Sequence, residues 1–150
     1  QRCQVATVPP ADPAAPRGER YLGHGDKAKD VPVYEAELGT KRQDSNHLHQ
    51  FILHAALDNV DEAMWGTQSM FLKAVDRYYE LYVSAWVTAG HTKFLLLHEP
   101  RSEDGIKAFF QEVHELYLRI VLNPFQTQTS RIKNPAFDLR VRAAARRYLQ

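Results

Sequence analysis

The sequence predicts an α+β fold in three layers, in which one antiparallel sheet has helices on both of its faces. Residues 70–98 are rich in β-branched and aromatic residues, and the pairs 76–77 and 89–90 divide this stretch into three runs. Three antiparallel strands are therefore predicted. The last run, 94–97, is apolar without alternation, as expected for a strand that is covered on both faces.

Helical patterns lie on both sides of these strands, and an alternating stretch at 31–38 predicts a further strand before the first helix. Three helices are predicted, each beginning at a residue that can cap it: Asp44 or Ser45 to about Met64, Ser102 to about Leu122, and Asn134-Pro135 onward. The predicted order is strand, long helix, three strands and two helices.

The start of the chain differs in composition from the rest. Five of the eight prolines lie at or before Pro32, in a stretch with few large apolar residues. We therefore predict an unstructured or atypical leader over residues 1–27 and a single domain over residues 28–150.

The charge balance and the hydropathy pattern exclude several classes of protein. Nineteen basic and 18 acidic residues leave a formal net charge of +1, so no broad positive field is present to grip nucleic acid. No apolar run reaches the roughly 18 residues that a membrane span requires. A lone Cys3 cannot form an intramolecular disulfide, which favours the cytosol over the secretory route.

Residue types that carry chemistry occur without the spacing that chemistry requires. His47 and His49 point about 200° apart on a helix, and neither they nor His54 have a cysteine nearby to complete a zinc site. No nucleophile elbow or glycine-rich phosphate loop accompanies the candidate catalytic residues Asp76, Ser84, His91 and Asp104. We predict no catalytic residue, no metal and no cofactor, and hence no enzyme.

Seven blocks of sequence between residues 33 and 138 carry a family resemblance. They are VYEAEL at 33–38, HLHQFILHAALDNVDEAMW at 47–65, FLKAVD at 71–76, VSAWVTAGH at 83–91, EDGIK at 103–107, NPF at 123–125 and AFD at 136–138. In this order and spacing, the chain resembles the sedlin family of transport protein particle (TRAPP) subunits, which have a longin-like fold.

The resemblance implies a five-stranded antiparallel sheet with one helix on one face and two on the other. It implies a non-catalytic adaptor that links core and larger subunits of a vesicle-tethering complex acting between the endoplasmic reticulum and the Golgi. Its expected partners are other TRAPP-type subunits and, through the complex, a Rab-type GTPase. The expected location is cytoplasmic and peripheral at those membranes, without nucleic acid.

The chain departs from the family pattern where a first strand is expected, just before residue 33. Only residues 21–25, YLGHG, stand there, preceded by polar residues, and residues 4–8 are a possible substitute. If a central strand were missing, its neighbours would lose hydrogen-bond partners, and each buried unpaired group would cost about 1–3 kcal/mol.

The first helix carries two apolar stripes, although packing on a sheet requires one. The first stripe is Leu48, Phe51, Ile52 and Ala55, and the second is Leu53, Leu57, Val60 and Met64. Either the second stripe wraps onto the sheet, or it docks in a groove of a neighbouring subunit. On the docking interpretation, the predicted partner-binding residues are Leu53, His54, Leu57, Asp58 and Asp61. Asp58→Tyr or Leu57→Glu would then weaken capture of partners and leave the domain folded.

The third helix has a basic side opposite its apolar stripe, formed by Arg140, Arg142, Arg146 and Arg147. This is either a solvated face or a contact for an acidic partner or an anionic membrane.

Two alternatives to the adaptor remain: a regulatory module of SNARE or coat assembly, and a small-ligand sensor. A pocket for the sensor could be lined by Trp86, Phe94, Tyr117 and Phe125, although these rings equally suit core packing.

Overall fold

The computed structural model describes residues 3–9, 32–38, 46–125 and 131–149, which contain five strands and three helices. In chain order they are β1 (Cys3–Val8), β2 (Tyr34–Glu37), α1 (Asn46–Trp65), β3 (Phe71–Tyr78), β4 (Leu81–Val87), β5 (Lys93–His98), α2 (Glu103–Val121) and α3 (Pro135–Tyr148). After β1, the elements follow the predicted order.

The strand β1 lies inside the sheet, whose order is β2-β1-β5-β4-β3 with every neighbouring pair antiparallel. The prediction of an unstructured leader is therefore wrong for Cys3–Val8, and the suggestion that residues 4–8 supply the first strand is confirmed. The physical reason is that β2 and β5 both need a partner for their backbone N–H and C=O groups. Residues 10–27 of the predicted leader lie outside the described residues.

Alternation along the strands divides the core into two halves. One face of the sheet packs under α1 alone, through side chains such as Leu72, Val83 and Leu95. The other face packs under α2 and α3, through side chains such as Val5 and Phe94. The predicted three-layer α+β fold, with one helix on one face and two on the other, is confirmed.

Some predicted boundaries differ from those in the structure. The turn between β3 and β4 lies at Tyr79 and Glu80, because two register shifts let β3 continue through Asp76 and Arg77. Asn134 caps α3 as predicted, since its side chain accepts a hydrogen bond from the backbone N–H of Ala136. Ser102 occupies the cap position of α2 but makes no side-chain cap hydrogen bond.

One buried hydroxyl in β1 predicts a stabilising substitution. The Oγ1 atom of Thr7 is fully buried without a hydrogen-bond partner, so Thr7→Val should raise the free energy of unfolding by about 1–3 kcal/mol in urea titrations. Ser84→Ala is the matched control, because the buried Ser84 hydroxyl lies 2.7 Å from Nε2 of His98 and the loss of this hydrogen bond should lower the free energy of unfolding. A fall in stability for Thr7→Val would mean that this hydroxyl has a partner.

Candidate functional site: the outer face of the first helix

The inner side of α1 is a broad apolar stripe that packs on the sheet. It consists of Ile52, Leu53, Ala56, Leu57 and Val60, all buried in one core cluster, with Met64 packed against it. The prediction that Leu53 and Leu57 bind a partner is therefore wrong. These side chains are only 2% and 3% exposed, because the second predicted stripe is the one that faces the sheet. The alternative that this stripe wraps onto the sheet is the correct one.

The opposite side of α1 is solvent-exposed and keeps an apolar part. We call it the α1 outer face and define it as Leu48, Phe51, His54, Ala55, Asp58 and Glu62, all of which are exposed. Phe51 is 70% exposed and Leu48 is 45% exposed. Phe51 and Asp58 are seven residues apart, so they project from the same line of the helix. The first predicted stripe, except for Ile52, therefore lies on the surface.

Charge on the outer face is concentrated in the second half of the helix. Asp58 and Glu62 are exposed, whereas Asp61 forms an ion pair with the buried Lys93 of β5. Asp61 therefore neutralises a core-facing lysine. The prediction that assigned Asp61 to a partner did not foresee this ion pair. The predicted apolar seam beside His54 and Asp58 is buried, and these two exposed residues instead lie beside Phe51 and Ala55 of the first stripe.

The arginines of α3 divide into two groups. Arg140 and Arg146 are exposed, whereas Arg142 donates to Asp138 over 2.9 Å and to the carbonyl oxygen of Glu37 over 2.8 Å. Arg147 lies 3.3 Å from the Glu112 carboxylate, at a groove of about 480 Å³ between α2 and α3. Arg142 thus stabilises the fold, whereas Arg140 and Arg146 are exposed and their charges are accessible to a partner.

A polar network explains the position of Arg142. The Tyr34 hydroxyl donates to Asp138 over 2.7 Å, which joins β2 to α3. Burial by itself would raise the pKa of Asp138, but the hydrogen bonds from Tyr34 and Arg142 and the arginine charge outweigh it, so this pKa is lowered. Burial and the carboxylate raise the pKa of Tyr34. This network covers the outer edge of β2, a role that is invisible in the spacing of the arginines.

Two of the candidate catalytic residues, Ser84 and His91, have neighbours outside the candidate set. Ser84 is buried and its hydroxyl lies 2.7 Å from Nε2 of His98, a residue that the sequence reading did not single out. His98 Nδ1 donates to the carbonyl oxygen of Glu99 over 2.7 Å, so Nε2 accepts from Ser84. His91 is exposed in a turn and packs against Trp65 instead. The Ser84 and His98 pair is closed to substrate by its burial.

Acid should destabilise the protein through two histidines. Burial lowers the pKa of His98, and it also lowers the pKa of His114, which accepts a hydrogen bond from the Trp86 indole. Both rings therefore stay neutral in the folded state at pH values where the unfolded chain takes up protons, beginning near the ordinary histidine pKa of about 6.5. Stability should be fully present above that pH and fall as the pH drops below it.

Urea midpoints at pH 7.5 and pH 5.5 measure this effect. The midpoint should be lower at pH 5.5, and the difference should shrink in His98→Asn, whereas exposed His54→Gln serves as the control with the wild-type difference. Equal midpoints at the two pH values in the wild-type protein would contradict the assignment of two histidines that stay neutral in the folded state.

Three of the four aromatic residues proposed for a ligand pocket are core residues. Trp86, Phe94 and Tyr117 are buried, and the ring centroids of Phe94 and Tyr117 lie 5.4 Å apart in an edge-to-face arrangement. These rings therefore pack in the core. Phe125 lies apart from them on the surface.

Among the described residues, no group of three or more His, Cys, Asp or Glu side chains could hold a metal ion. None of the described helices is long and apolar enough to cross a membrane.

Comparison with known sequences decides the family. The sequence profile of the family described as Sedlin matches residues 27–147, well over half of the chain. The chain belongs to the Sedlin family. The sedlin match begins after β1, so the strand at Cys3–Val8 lies before the matched region.

The relatives of this sedlin-family chain carry consistent names. The Transport protein particle 20 kDa subunit of Schizosaccharomyces pombe is 46% identical over 126 residues, which cover 81% of this chain and 93% of the relative. The Probable trafficking protein particle complex subunit 2 of Drosophila melanogaster is 40% identical over 80% of this chain and 90% of the relative. Trafficking protein particle complex subunit 20 of Saccharomyces cerevisiae is 32% identical, with coverages of 81% and 93%.

Proposed function

We propose that this sedlin-family chain is a non-catalytic adaptor subunit of a TRAPP-type vesicle-tethering complex in transport from the endoplasmic reticulum to the Golgi. In this role it links core and larger subunits, works on the cytoplasmic side at those membranes, and reaches a Rab-type GTPase only through the complex. The names of its relatives as particle subunits, together with their coverage of most of the chain, support this proposal.

The observation that carries the adaptor role is the exposed apolar half of the α1 outer face. The sheet beneath α1 is already covered by the inner stripe, so Leu48 and Phe51 add nothing to the core of their own chain. An exposed aromatic ring beside a leucine and an alanine is the composition of an interface anchor, because aromatic residues contribute most when they enter a pocket of a partner. The α1 outer face is therefore the proposed docking surface.

The charges beside this apolar half set the expected character of the partner. Asp58 and Glu62 are exposed acids, and the acid that would lie next to them, Asp61, is neutralised by Lys93. A neighbouring subunit should thus present an apolar groove with basic residues at one end. Rim charges of this kind fix orientation and the rate of association more than affinity.

A second contact is proposed at Arg140 and Arg146 on α3, whose charges are exposed. They could meet an acidic subunit or an anionic membrane, and attraction of basic residues to such a membrane is about 1 kcal/mol per residue near the surface. Leu139, which directly precedes Arg140, is also exposed and gives this surface an apolar component.

The test replaces the 20 kDa subunit of the Schizosaccharomyces pombe particle with a tagged copy of this chain. Affinity purification followed by quantitative mass spectrometry should recover the other particle subunits in near-stoichiometric amounts. The 46% identity between the two proteins makes this exchange a reasonable one. Recovery of the tagged chain without particle subunits, while it is folded and expressed, would contradict the proposal.

A further inference from the structure

The tripeptide Asn123-Pro124-Phe125 follows the last turn of α2 and forms a structured turn of its own. The Asn123 side-chain oxygen Oδ1 accepts a hydrogen bond from the backbone N–H of Phe125 over 3.1 Å, which is the geometry of an Asx turn. The ring of Pro124 fixes the backbone between them. The C-terminal end of α2 is held by a further hydrogen bond, in which the backbone N–H of Asn123 donates to the carbonyl oxygen of Ile120 over 3.0 Å. The conformation of the tripeptide is therefore held from both sides.

This turn places a large apolar side chain in solvent. Phe125 is 93% exposed and Leu122 is 81% exposed, which are high values among the large apolar side chains of the described residues. Leu118 is also exposed one turn earlier, so three apolar side chains line the end of α2. A helix stop requires only Asn and Pro, and within the described residues the phenyl ring that follows them is not part of the core.

We propose that the Asn123–Phe125 turn is a recognition motif that inserts the Phe125 ring into an apolar pocket of a partner protein. The partner is a domain with a pocket wide enough for one phenyl ring and with polar groups at its mouth that hydrogen-bond the Asn-Pro turn. Because the Asx turn is formed before binding, little conformational entropy is lost when the ring is inserted.

Charge near the turn refines the expected partner. Arg119 is exposed and lies one helical turn before Asn123, so the pocket should have an acidic residue at its rim. Leu122, which directly precedes the motif, is also exposed and adds apolar surface there. The turn follows α2, which packs on one side of the sheet, whereas α1 packs on the other side, so the motif is independent of the proposed adaptor surface.

The test titrates the full chain with a recombinant domain of the class that binds Asn-Pro-Phe peptides, by isothermal titration calorimetry. Phe125→Ala should weaken binding by at least about tenfold, as expected for the loss of a central aromatic anchor. Asn123→Ala should weaken it several-fold, whereas Asn123→Asp, which keeps the side-chain acceptor, should weaken it less. Tyr79→Ala removes an exposed aromatic ring in the turn between β3 and β4 and is the matched control, with wild-type affinity expected.

A synthetic peptide of residues 119–125 provides a second measurement that does not depend on the fold of any variant. It should displace the chain from the domain, and the same peptide with alanine for Phe125 should not. The proposal is overturned if the wild-type chain does not bind the domain, if Phe125→Ala binds within twofold of wild type, or if both peptides compete equally.

Discussion

Leu57→Glu is expected to unfold the protein. Leu57 is 3% exposed in the core between α1 and the sheet, and truncating a leucine at such a position costs about 2–5 kcal/mol. A carboxylate there adds the cost of burying a charge without a partner. Since domains are stable by only about 5–15 kcal/mol, most of the stability should be lost. Circular dichroism at pH 7.5 measures the loss of folded structure, and urea titration at the same pH measures the loss of stability.

Asp58→Tyr is the control for this result, because Asp58 is the next residue along α1 and is exposed. Its unfolding midpoint should stay close to wild type, since surface substitutions away from special features change stability by about 0.5 kcal/mol or less. A folded Leu57→Glu protein with a wild-type midpoint would show that this side of α1 is not the core side. The earlier expectation that Leu57→Glu leaves the domain folded is incompatible with the burial of Leu57.

Phe51→Glu is expected to remove the chain from the particle while leaving it folded. Phe51 is 70% exposed, so its replacement costs the fold little, but an interface anchor of this kind contributes about 2 kcal/mol or more to binding. The loss corresponds to roughly a 30-fold lower affinity for the neighbouring subunit. Affinity purification of the tagged variant, with its melting temperature measured in parallel, gives both quantities.

Tyr79→Glu is the matched control for this second prediction. Tyr79 is also an exposed aromatic residue, but it lies in the turn between β3 and β4, away from α1. It should co-purify with the particle as the wild-type chain does. Asp58→Tyr, in the middle of the α1 outer face, should weaken assembly by steric conflict. Normal assembly of both Phe51→Glu and Asp58→Tyr would exclude the α1 outer face as the docking surface.

The fold was largely predictable because its signals are local. Asn134 and Pro135 mark the start of α3 at the correct residue, and the apolar run at 94–97 indicates a central strand. The strand β1 was harder to predict, because Gln4 and Thr7 interrupt its apolar residues and prolines follow it. What places it in the sheet is pairing with β2 and β5, which are distant in sequence.

The candidate site was predictable only in part. The excess of apolar residues on α1 was visible, but periodicity does not say which stripe faces the sheet when both are apolar. Joining Ile52 and Ala56 to Leu53, Leu57 and Val60 gives one broad arc, and this was the available signal for the core side.

Long-range pairs carried no sequence signal. Asp61 forms an ion pair with Lys93. Arg142 donates hydrogen bonds to Asp138 and to the carbonyl oxygen of Glu37. Neither charge is therefore fully available to a partner. Charge patterns along one helix cannot show whether a distant strand supplies the counter-charge or acceptor. Burial and hydrogen bonding in three dimensions therefore changed the residue list of the proposed interface, and left the family and the fold as expected.

Site-specific photo-crosslinking in the assembled particle tests the central claim most directly. A photoreactive residue at position 51 of the tagged chain should form a covalent adduct with another particle subunit, and the same residue at position 79 should not. A chain that co-purifies with the particle but gives no adduct from position 51 would contradict the assignment of the α1 outer face as its docking surface.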